Sequence, residues 1–87
     1  MEFEWDDAKR QLNLAKHGLD FAHVARFDWN AAKIGRDMRF AYGEDRFTAY
    51  GMMDGQLRVI IFTMRGAATR IVSFRRANRM ERRLYGD

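Results

Sequence analysis

An Asp-Gly pair at residues 54–55 constrains the fold more than any other feature of this chain. It separates RFTAYGMM (46–53) from QLRVIIFTM (56–64), and both segments are rich in the β-branched and aromatic residues that favour strands. Asp-Gly between two such segments is typical of a two-residue β-hairpin turn, which also fixes the register of the strands. The turn predicts three facing pairs: Met53 with Gln56, Tyr50 with Val59, and Arg46 with Thr63.

The two faces of this hairpin differ in chemistry. One face is predicted to carry Arg46, Thr48, Tyr50 and Thr63, and the other Phe47, Ala49, Ile60 and Phe62. After an RGAA loop (65–68), TRIVSFRR (69–76) is predicted as a third strand of the meander. Its register stays open, because a four-residue loop tolerates a bulge that would exchange the faces. Arg75 and Arg76 point to opposite faces in either register.

Helices and short strands are predicted around this meander. FEW (3–5) is a plausible edge strand, and a helix runs from an Asp6 N-cap to Gly18, with Ala8, Leu12 and Ala15 on one helical face. A short helix is predicted after Asp20, with Phe21, Val24 and Ala25 pointing inward. A weak strand at 32–36 and a polar loop at 37–45 follow it. A C-terminal helix over RMERRLY (79–85) begins with an Asn78–Glu81 capping box.

The predicted order is therefore β-α-α-β-β-β-β-α within a single domain, residues 1–87. Such an order favours an α+β fold, in which a small antiparallel sheet carries its helices on one face. The face without helices would then be available for function.

Charge is distributed unevenly along the chain. Residues 55–87 contain eight arginines, no lysine and two acidic residues, whereas residues 1–54 contain eight basic and ten acidic residues. Arginine binds phosphate through a planar fork of donors, so the arginine-rich half favours a polyanionic partner over mere solubility. No apolar segment approaches the roughly 20 residues of a membrane span, and the acidic N-terminus does not resemble a signal peptide. With no cysteine, these features favour the cytoplasm.

Several kinds of chemistry are disfavoured by composition. The two histidines, His17 and His23, lie six residues apart without any cysteine, so neither a metal nor another cofactor is expected. No glycine-rich phosphate loop precedes a helix, and the single serine, Ser73, lies within a strand. RNA cleavage by its own 2′-hydroxyl remains possible, because arginines can stabilise the phosphorane while His17, Lys16, Tyr50 or Tyr85 moves protons.

Motifs along nearly the whole chain resemble the BrnT toxins. The first half carries FEWDDAKRQLNLAKHGLDFAHVARF (3–27), which includes a Trp-Asp pair and a Lys-His-Gly segment. The second half carries, in the same order, R-F at 46–47, G-M-x-D-G at 51–55, V-I-I-F-T-x-R at 59–65, R-I-V-S-x-R-R-A at 70–77 and E-R-R-x-Y at 81–85.

The resemblance implies a RelE-like fold and a metal-independent endoribonuclease that inhibits translation. It also implies neutralisation by a BrnA-like antitoxin of the ribbon-helix-helix class, so that operator DNA would be contacted only through that antitoxin. The family pattern often carries acidic residues near Arg65, whereas the loop here reads RGAA, which questions proton transfer at that point.

Six residues are the candidate site under this resemblance. His17, Arg65 and Arg75 are expected to be catalytic, and Lys16, Arg46 and Arg76 to bind RNA. Each has a simpler interpretation: Lys16 and His17 suit the last turn of a helix, and the arginines suit solvated loops and ion pairs. His23 is expected to be a surface histidine, and Trp5 with Asp6 to serve packing and capping.

Two other functions stay open at this point. The arginine-rich half would equally suit a nucleic-acid-binding module without catalysis. It would also suit an inactive protein that co-represses transcription with a DNA-binding partner. A neighbouring gene for a ribbon-helix-helix protein would favour the toxin, and growth arrest on induction would separate the toxin from both alternatives.

Overall fold

The computed structural model describes residues 1–37 and 43–86. In chain order these form β1 (Glu2–Glu4), α1 (Asp7–His17), a 3₁₀ helix (Phe21–Arg26), β2 (Lys33–Asp37), β3 (Arg46–Met53), β4 (Gln56–Arg65), β5 (Ala68–Arg76) and α2 (Arg79–Tyr85). The predicted order of elements is confirmed, except that the second helix is a 3₁₀ helix. Much of the polar loop predicted at 37–45 lies outside the described residues.

The hairpin predicted at Asp54-Gly55 is confirmed in turn and in register. Met53 pairs with Gln56 and Tyr50 with Val59. Asp54 and Gly55 have φ angles of 52° and 78°, the left-handed values that a type I′ turn requires at both central positions. The turn therefore matches the right-handed twist of the strands on either side of it.

The sheet has five strands in the order β1-β5-β4-β3-β2, and it is mixed rather than purely antiparallel. β1 runs parallel to β5, with Phe3 opposite Thr69, whereas every other pair is antiparallel. The sequence predicted an antiparallel sheet. That prediction is wrong at the β1 edge, because α1 and strands β2–β4 lie between β1 and β5 in the chain, and β5 then reaches β1 running in the same direction. A register shift between Ile61 and Phe62 in the β4–β5 pair is the irregularity left open by the sequence.

The main hydrophobic core lies on one face of the sheet, and a smaller cluster of Leu57, Val59 and Ala77 is separate from it. Phe21, Val24 and Phe27, from the 3₁₀ helix and its end, are at most 3% exposed and pack against apolar residues of the sheet. The sheet contributes Ala49, Met53, Ile60, Phe62, Ile71 and Phe74. Ala25 was expected to point inward, but it is exposed because the tighter 3₁₀ turn brings residues 21 and 24 to the same side.

Helix α1 lies along the edge of β5 and attaches through a polar residue. Asn13 is 8% exposed, and its amide donates to the carbonyls of Phe74 (2.7 Å) and Leu19 (3.0 Å) while accepting from the Phe74 amide (3.1 Å). The side-chain amide of Asn13 thus bonds to the edge of β5 at a position beyond the last residue of β1. The helical face shared by Ala8, Leu12 and Ala15 is exposed instead, with Leu12 at 70%.

Helix α2 lies on the opposite face of the sheet from the core. Its Tyr85 stacks on Tyr50, and its Glu81 bonds to Arg75. Tyr50 and Arg75 both pair with Val59, so they share the face that Phe74 and Ile60 do not occupy. The expectation that all helices pack on one face is therefore wrong, because the capping box at Asn78 turns the chain back across the second face as soon as β5 ends.

Candidate functional site

A groove of about 370 Å³ lies on the second face, between α2 and the strands. Its floor comes from the strands and one of its walls from α2. The lining residues are Gly35, Arg36, Asp37, Thr48, Tyr50, Ile61, Arg75, Glu81 and Tyr85. Charged and aromatic side chains thus meet here over a face that the core does not use.

Arg75 is held in this groove by a carboxylate. Its Nη1 and Nη2 donate to the two oxygens of Glu81 at 2.8 and 2.9 Å, the bidentate geometry that fixes a guanidinium plane. The Glu81 carboxylate also accepts a hydrogen bond from the backbone amide of Asn78 at 2.9 Å. The hydrogen bonds from Arg75 lower the pKa of Glu81, so the pair is ionised at neutral pH. One carboxylate therefore both begins α2 and orients an arginine.

Two tyrosines form a stacked pair at the end of the groove. The rings of Tyr50 and Tyr85 lie 4.1 Å apart between centroids and within 10° of parallel. Tyr50 also packs against Leu57, Val59 and Ala77. A stacked aromatic pair with an exposed outer ring is a surface on which a nucleic-acid base can stack.

His17 lies at the end of α1, beside the same strand as Arg75. It lines a shallow pocket with Lys16 and with Ser73, which is two residues from Arg75 on β5. Burial lowers the pKa of His17 below 6.5, and the positive charges of Lys16 and Arg75 lower it further. His17 is therefore neutral at pH 7 and able to accept a proton. The helix ends at Gly18 in the left-handed conformation (φ 71°), as predicted.

Arg65 lies at the other end of the sheet from Arg75. It pairs with Ala68 in the β4–β5 hairpin, whereas Arg75 pairs with Val59. Seven residues of extended strand separate Ala68 from Arg75, which is about 23 Å. The expectation that His17 lies near both arginines is thus right for Arg75 only. Glu44 comes within 3.9 Å of Arg65, so an acidic group does stand beside this arginine although the RGAA loop has none.

The remaining candidates lie apart from one another. Arg46 begins β3 opposite Asp37, which lines the groove. Arg76 lies beside Arg58 on the other face of β5, and both line a separate pocket. Lys16 stays with His17. The structure therefore brings together His17, Lys16 and Arg75, with Arg46 at the groove margin and Arg65 and Arg76 outside it.

A sequence model of the ribonuclease toxin BrnT of type II toxin–antitoxin systems matches residues 5–81 of the 87. The chain belongs to the BrnT family. The BrnT match spans the 3₁₀ helix, four strands and α1, together with the first residues of α2. No curated protein sequence matches the chain.

Membership in the BrnT family identifies this chain as a ribonuclease toxin of a type II toxin–antitoxin system. The antitoxin partner and the RNA substrate follow from that class. Across the described segments, no helix is both long and apolar enough to cross a membrane. Nor do three or more His, Cys, Asp or Glu side chains of residues 1–37 and 43–86 gather as a metal site would require.

Glu81 is a side chain of this candidate site that sequence reasoning did not identify as a site residue. Its spacing from Asn78 indicated a helix cap, and the structure confirms the cap. The signal for a second role was present in E-R-R-x-Y, because Glu81 and Tyr85 are four residues apart and so share one helical face. The pairing of Tyr50 with Tyr85 was not predictable without knowing that α2 lies on the second face.

Proposed function

We propose that this toxin is an endoribonuclease whose reaction needs no metal ion and takes place beside β5, between the Arg75 side of the groove and the neighbouring pocket of His17. The observation that carries the proposal is that Arg75, oriented by Glu81, lies two residues along β5 from Ser73, which shares a pocket with His17. The charge of Arg75 also helps to lower the pKa of His17. A base and an oriented cation beside a stacked aromatic pair suit a reaction on a phosphodiester next to a bound nucleotide.

The proposed reaction begins at the ribose 2′-hydroxyl. His17 accepts its proton as the 2′-oxygen forms a bond to phosphorus, and the bond from phosphorus to the 5′-oxygen breaks. A proton from a tyrosine hydroxyl, Tyr50 or Tyr85, goes to the departing 5′-oxygen. The products are a 2′,3′-cyclic phosphate and a free 5′-hydroxyl, with no other reactant consumed. Arg75 stabilises the charge on the phosphorane oxygens, where it is worth most in a partly desolvated groove.

The other basic candidates then contact phosphates along the strand. Lys16 lies close enough to His17 to share its phosphate, and Arg46 begins a strand opposite a residue of the groove wall. Arg65 was expected to be catalytic, but its distance from Arg75 favours a phosphate contact further along the RNA. Such contacts supply affinity without sequence preference.

The wider role is part of the same proposal. Cleavage of RNA in the cytoplasm would inhibit translation, and a BrnA-like ribbon-helix-helix antitoxin would neutralise the toxin and connect it to operator DNA. We also propose that the sheet with helices on both faces is a RelE-like fold. The excess of arginine in residues 55–87 supports an acidic segment on the antitoxin, because opposite charge on a partner favours association.

Cleavage assays test the catalytic part. Single-stranded RNA should be cut in the presence of EDTA to fragments with 2′,3′-cyclic phosphate ends, and the same RNA with 2′-O-methyl groups should remain intact. His17→Ala and Arg75→Ala should each lower the rate about 10²–10⁴-fold. His23→Ala, at an exposed histidine outside the groove, is the matched control and should cleave normally. Binding of RNA without cleavage by the wild type would favour the non-catalytic alternative.

A further inference from the structure

A second pocket, of about 270 Å³, lies beside α2 and outside the groove. Glu81 and Tyr85 of α2 line the groove, whereas Arg82 lines this pocket. The lining residues are Met52, Gly55, Gln56, Leu57, Arg58, Arg76, Ala77 and Arg82. Three are arginines from three different elements, and none of the eight is acidic. The pocket is therefore strongly positive for its size.

Arg58 in this pocket is largely buried, and its Nε has no hydrogen bond among the described residues. The residue is only 9% exposed, and its Nε is inaccessible and makes no hydrogen bond to the described part of the chain. Burial lowers the pKa of Arg58, and the neighbouring charge of Arg76 lowers it further, while Asp54 raises it. Asp54 is itself ion-paired with Arg26, so its charge is shared.

A buried arginine of this kind is costly by itself. A buried charge needs a partner and hydrogen bonds. Among residues 1–37 and 43–86, the Nε of Arg58 has no hydrogen bond, and the carboxylate that acts on Arg58, Asp54, is ion-paired with Arg26. The β4–β5 register also places Arg76 directly opposite Arg58, and like charges at facing positions of a sheet are destabilising. Both costs are removed if an anion occupies the pocket.

The third arginine is oriented by the backbone. Arg82 donates from Nη1 to the carbonyl of Ala77 at 2.8 Å, which holds its guanidinium at the pocket wall. Ala77 in turn donates its amide to the Leu57 carbonyl at 3.3 Å and so connects β5 to β4. The pocket therefore has fixed walls on the sheet and on α2, which suits a compact anion better than a flexible chain.

We propose that Arg58, Arg76 and Arg82 bind a phosphate group of the RNA strand at a subsite outside the catalytic groove. Its assignment to RNA rests on the proposed function, whereas the shared chemistry is that of any phosphate oxyanion. Arg75 lines the groove and the next residue, Arg76, lines the pocket, so a strand that leaves the groove past β5 brings a further phosphate to it. Phosphates recur along a strand, and three arginine forks match their oxygens.

Inorganic phosphate is the first probe. The melting temperature of the full chain is measured in phosphate and in chloride at equal ionic strength. At ten times the dissociation constant, phosphate should raise the melting temperature of the wild type by about 5–10 °C. Arg58→Met should melt at the same or a higher temperature without phosphate, because it removes a largely buried charge that faces Arg76, and it should lose most of the phosphate-dependent rise.

Arg83→Gln is the matched control, since it removes one exposed arginine from the same helix without touching the pocket. It should keep the full rise. Arg76→Gln is the second variant and should also weaken the phosphate effect, so the test does not depend on Arg58→Met folding. A wild type that responds equally to phosphate and chloride, or an Arg58→Met variant that keeps the full rise, overturns the site.

A 2′-O-methyl RNA oligonucleotide is the second probe, because it cannot be cleaved through the 2′-oxygen. Arg58→Met should bind it about 10-fold more weakly, a change that Arg83→Gln does not show. If Arg58→Met loses phosphate but binds the oligonucleotide normally, the pocket takes a free phosphate and the RNA assignment is wrong. If phosphate has no effect and only antitoxin binding is lost, the pocket receives an acidic peptide instead.

These two probes separate the subsite from the proposed function. Neither depends on cleavage, so a toxin that fails to cut RNA would refute the catalytic proposal and leave the phosphate measurements intact. Conversely, a toxin that cuts RNA should do so after Arg58→Met with a raised KM and an unchanged kcat. Normal KM in that variant would refute the subsite while the ribonuclease proposal stands.

Discussion

Asn13→Ala should destabilise this toxin more than any exposed substitution in α1. The Asn13 amide pairs with both the N–H and the C=O of Phe74 in the buried edge of β5. Without it, two backbone groups lose their partners in a place that water reaches poorly. Each buried unsatisfied group costs about 1–3 kcal/mol, so the loss of two should lower the free energy of unfolding by about 2–6 kcal/mol. The Leu19 carbonyl is less buried and can be rehydrated at little cost.

This loss is large for a chain of 87 residues. The total free energy of unfolding of a domain of this size is about 5–15 kcal/mol. Each kcal/mol lost lowers the melting temperature by about 4–8 °C. The variant should therefore melt at least about 8 °C below the wild type. Urea denaturation measures the free energy, and hydrogen exchange at the Phe74 amide reports the particular bond.

Two comparison variants make this reasoning refutable. Gln11→Ala removes an exposed side chain that bonds to Asp7 within the same helix, and it should change the free energy of unfolding by less than about 0.5 kcal/mol. Asn13→Asp can still accept from the Phe74 amide but cannot donate to its carbonyl, so it should also be destabilised. If Asn13→Ala loses less than about 1 kcal/mol and the Phe74 amide stays protected from exchange, α1 is held to the sheet by other contacts.

Three further outcomes are expected. The rate of RNA cleavage should rise with pH through a pKa below 6.5 and then level off, because His17 must lose its proton to act as a base. If a pH profile shows the rate falling across this range, His17 acts as a general acid instead. Gly51→Ala should lower the free energy of unfolding by about 1–3 kcal/mol in urea, since its Cβ would lie 2.5 Å from the buried ring of Phe27; unchanged stability would mean that the ring can move. The logarithm of RNA affinity should fall linearly with the logarithm of salt concentration, with a slope of about 0.7 per phosphate neutralised. Arg76→Ala and Arg46→Ala should each reduce that slope by less than one unit. An affinity independent of salt would contradict an electrostatic interface.

The centre of the fold was predictable because its signals are local. Asp54-Gly55 fixes a turn and a register within four residues, and Asn78 with Glu81 begins α2 through contacts three residues apart. Gly18 likewise ends α1 by its own conformation. In each case the residues that carry the information also make the contact, so the sequence pattern is sufficient.

The features that sequence reasoning missed depend on distant segments. Asn13 makes its decisive bonds to Phe74, 61 residues away, and nothing near it in the sequence indicates that a polar residue is the buried one in α1. The side of the sheet that α2 covers is decided by how the chain leaves β5. Because that choice creates the groove, the pairing of Arg75 with Glu81 could not be anticipated.

The candidate site was predicted in part for the same reason. His17 and Arg75 were each identified by family motifs, and the structure brings them close enough to affect a pKa. Arg65 was grouped with them because its motif is equally recognisable, although strand direction carries it to the opposite end of the sheet. A motif reports that a residue matters to the family, but it does not report where on the sheet the residue lies.

The parallel pairing of β1 with β5 has a consequence for synthesis of the toxin. Glu4 meets Arg70 across 66 residues of chain, so β1 cannot pair until β5 has been synthesised. Contacts this distant in sequence form late in folding. Helix α1, with His17, waits for the same strand, which also carries Arg75. A nascent toxin therefore cannot assemble its proposed base and cation until β5 has been synthesised.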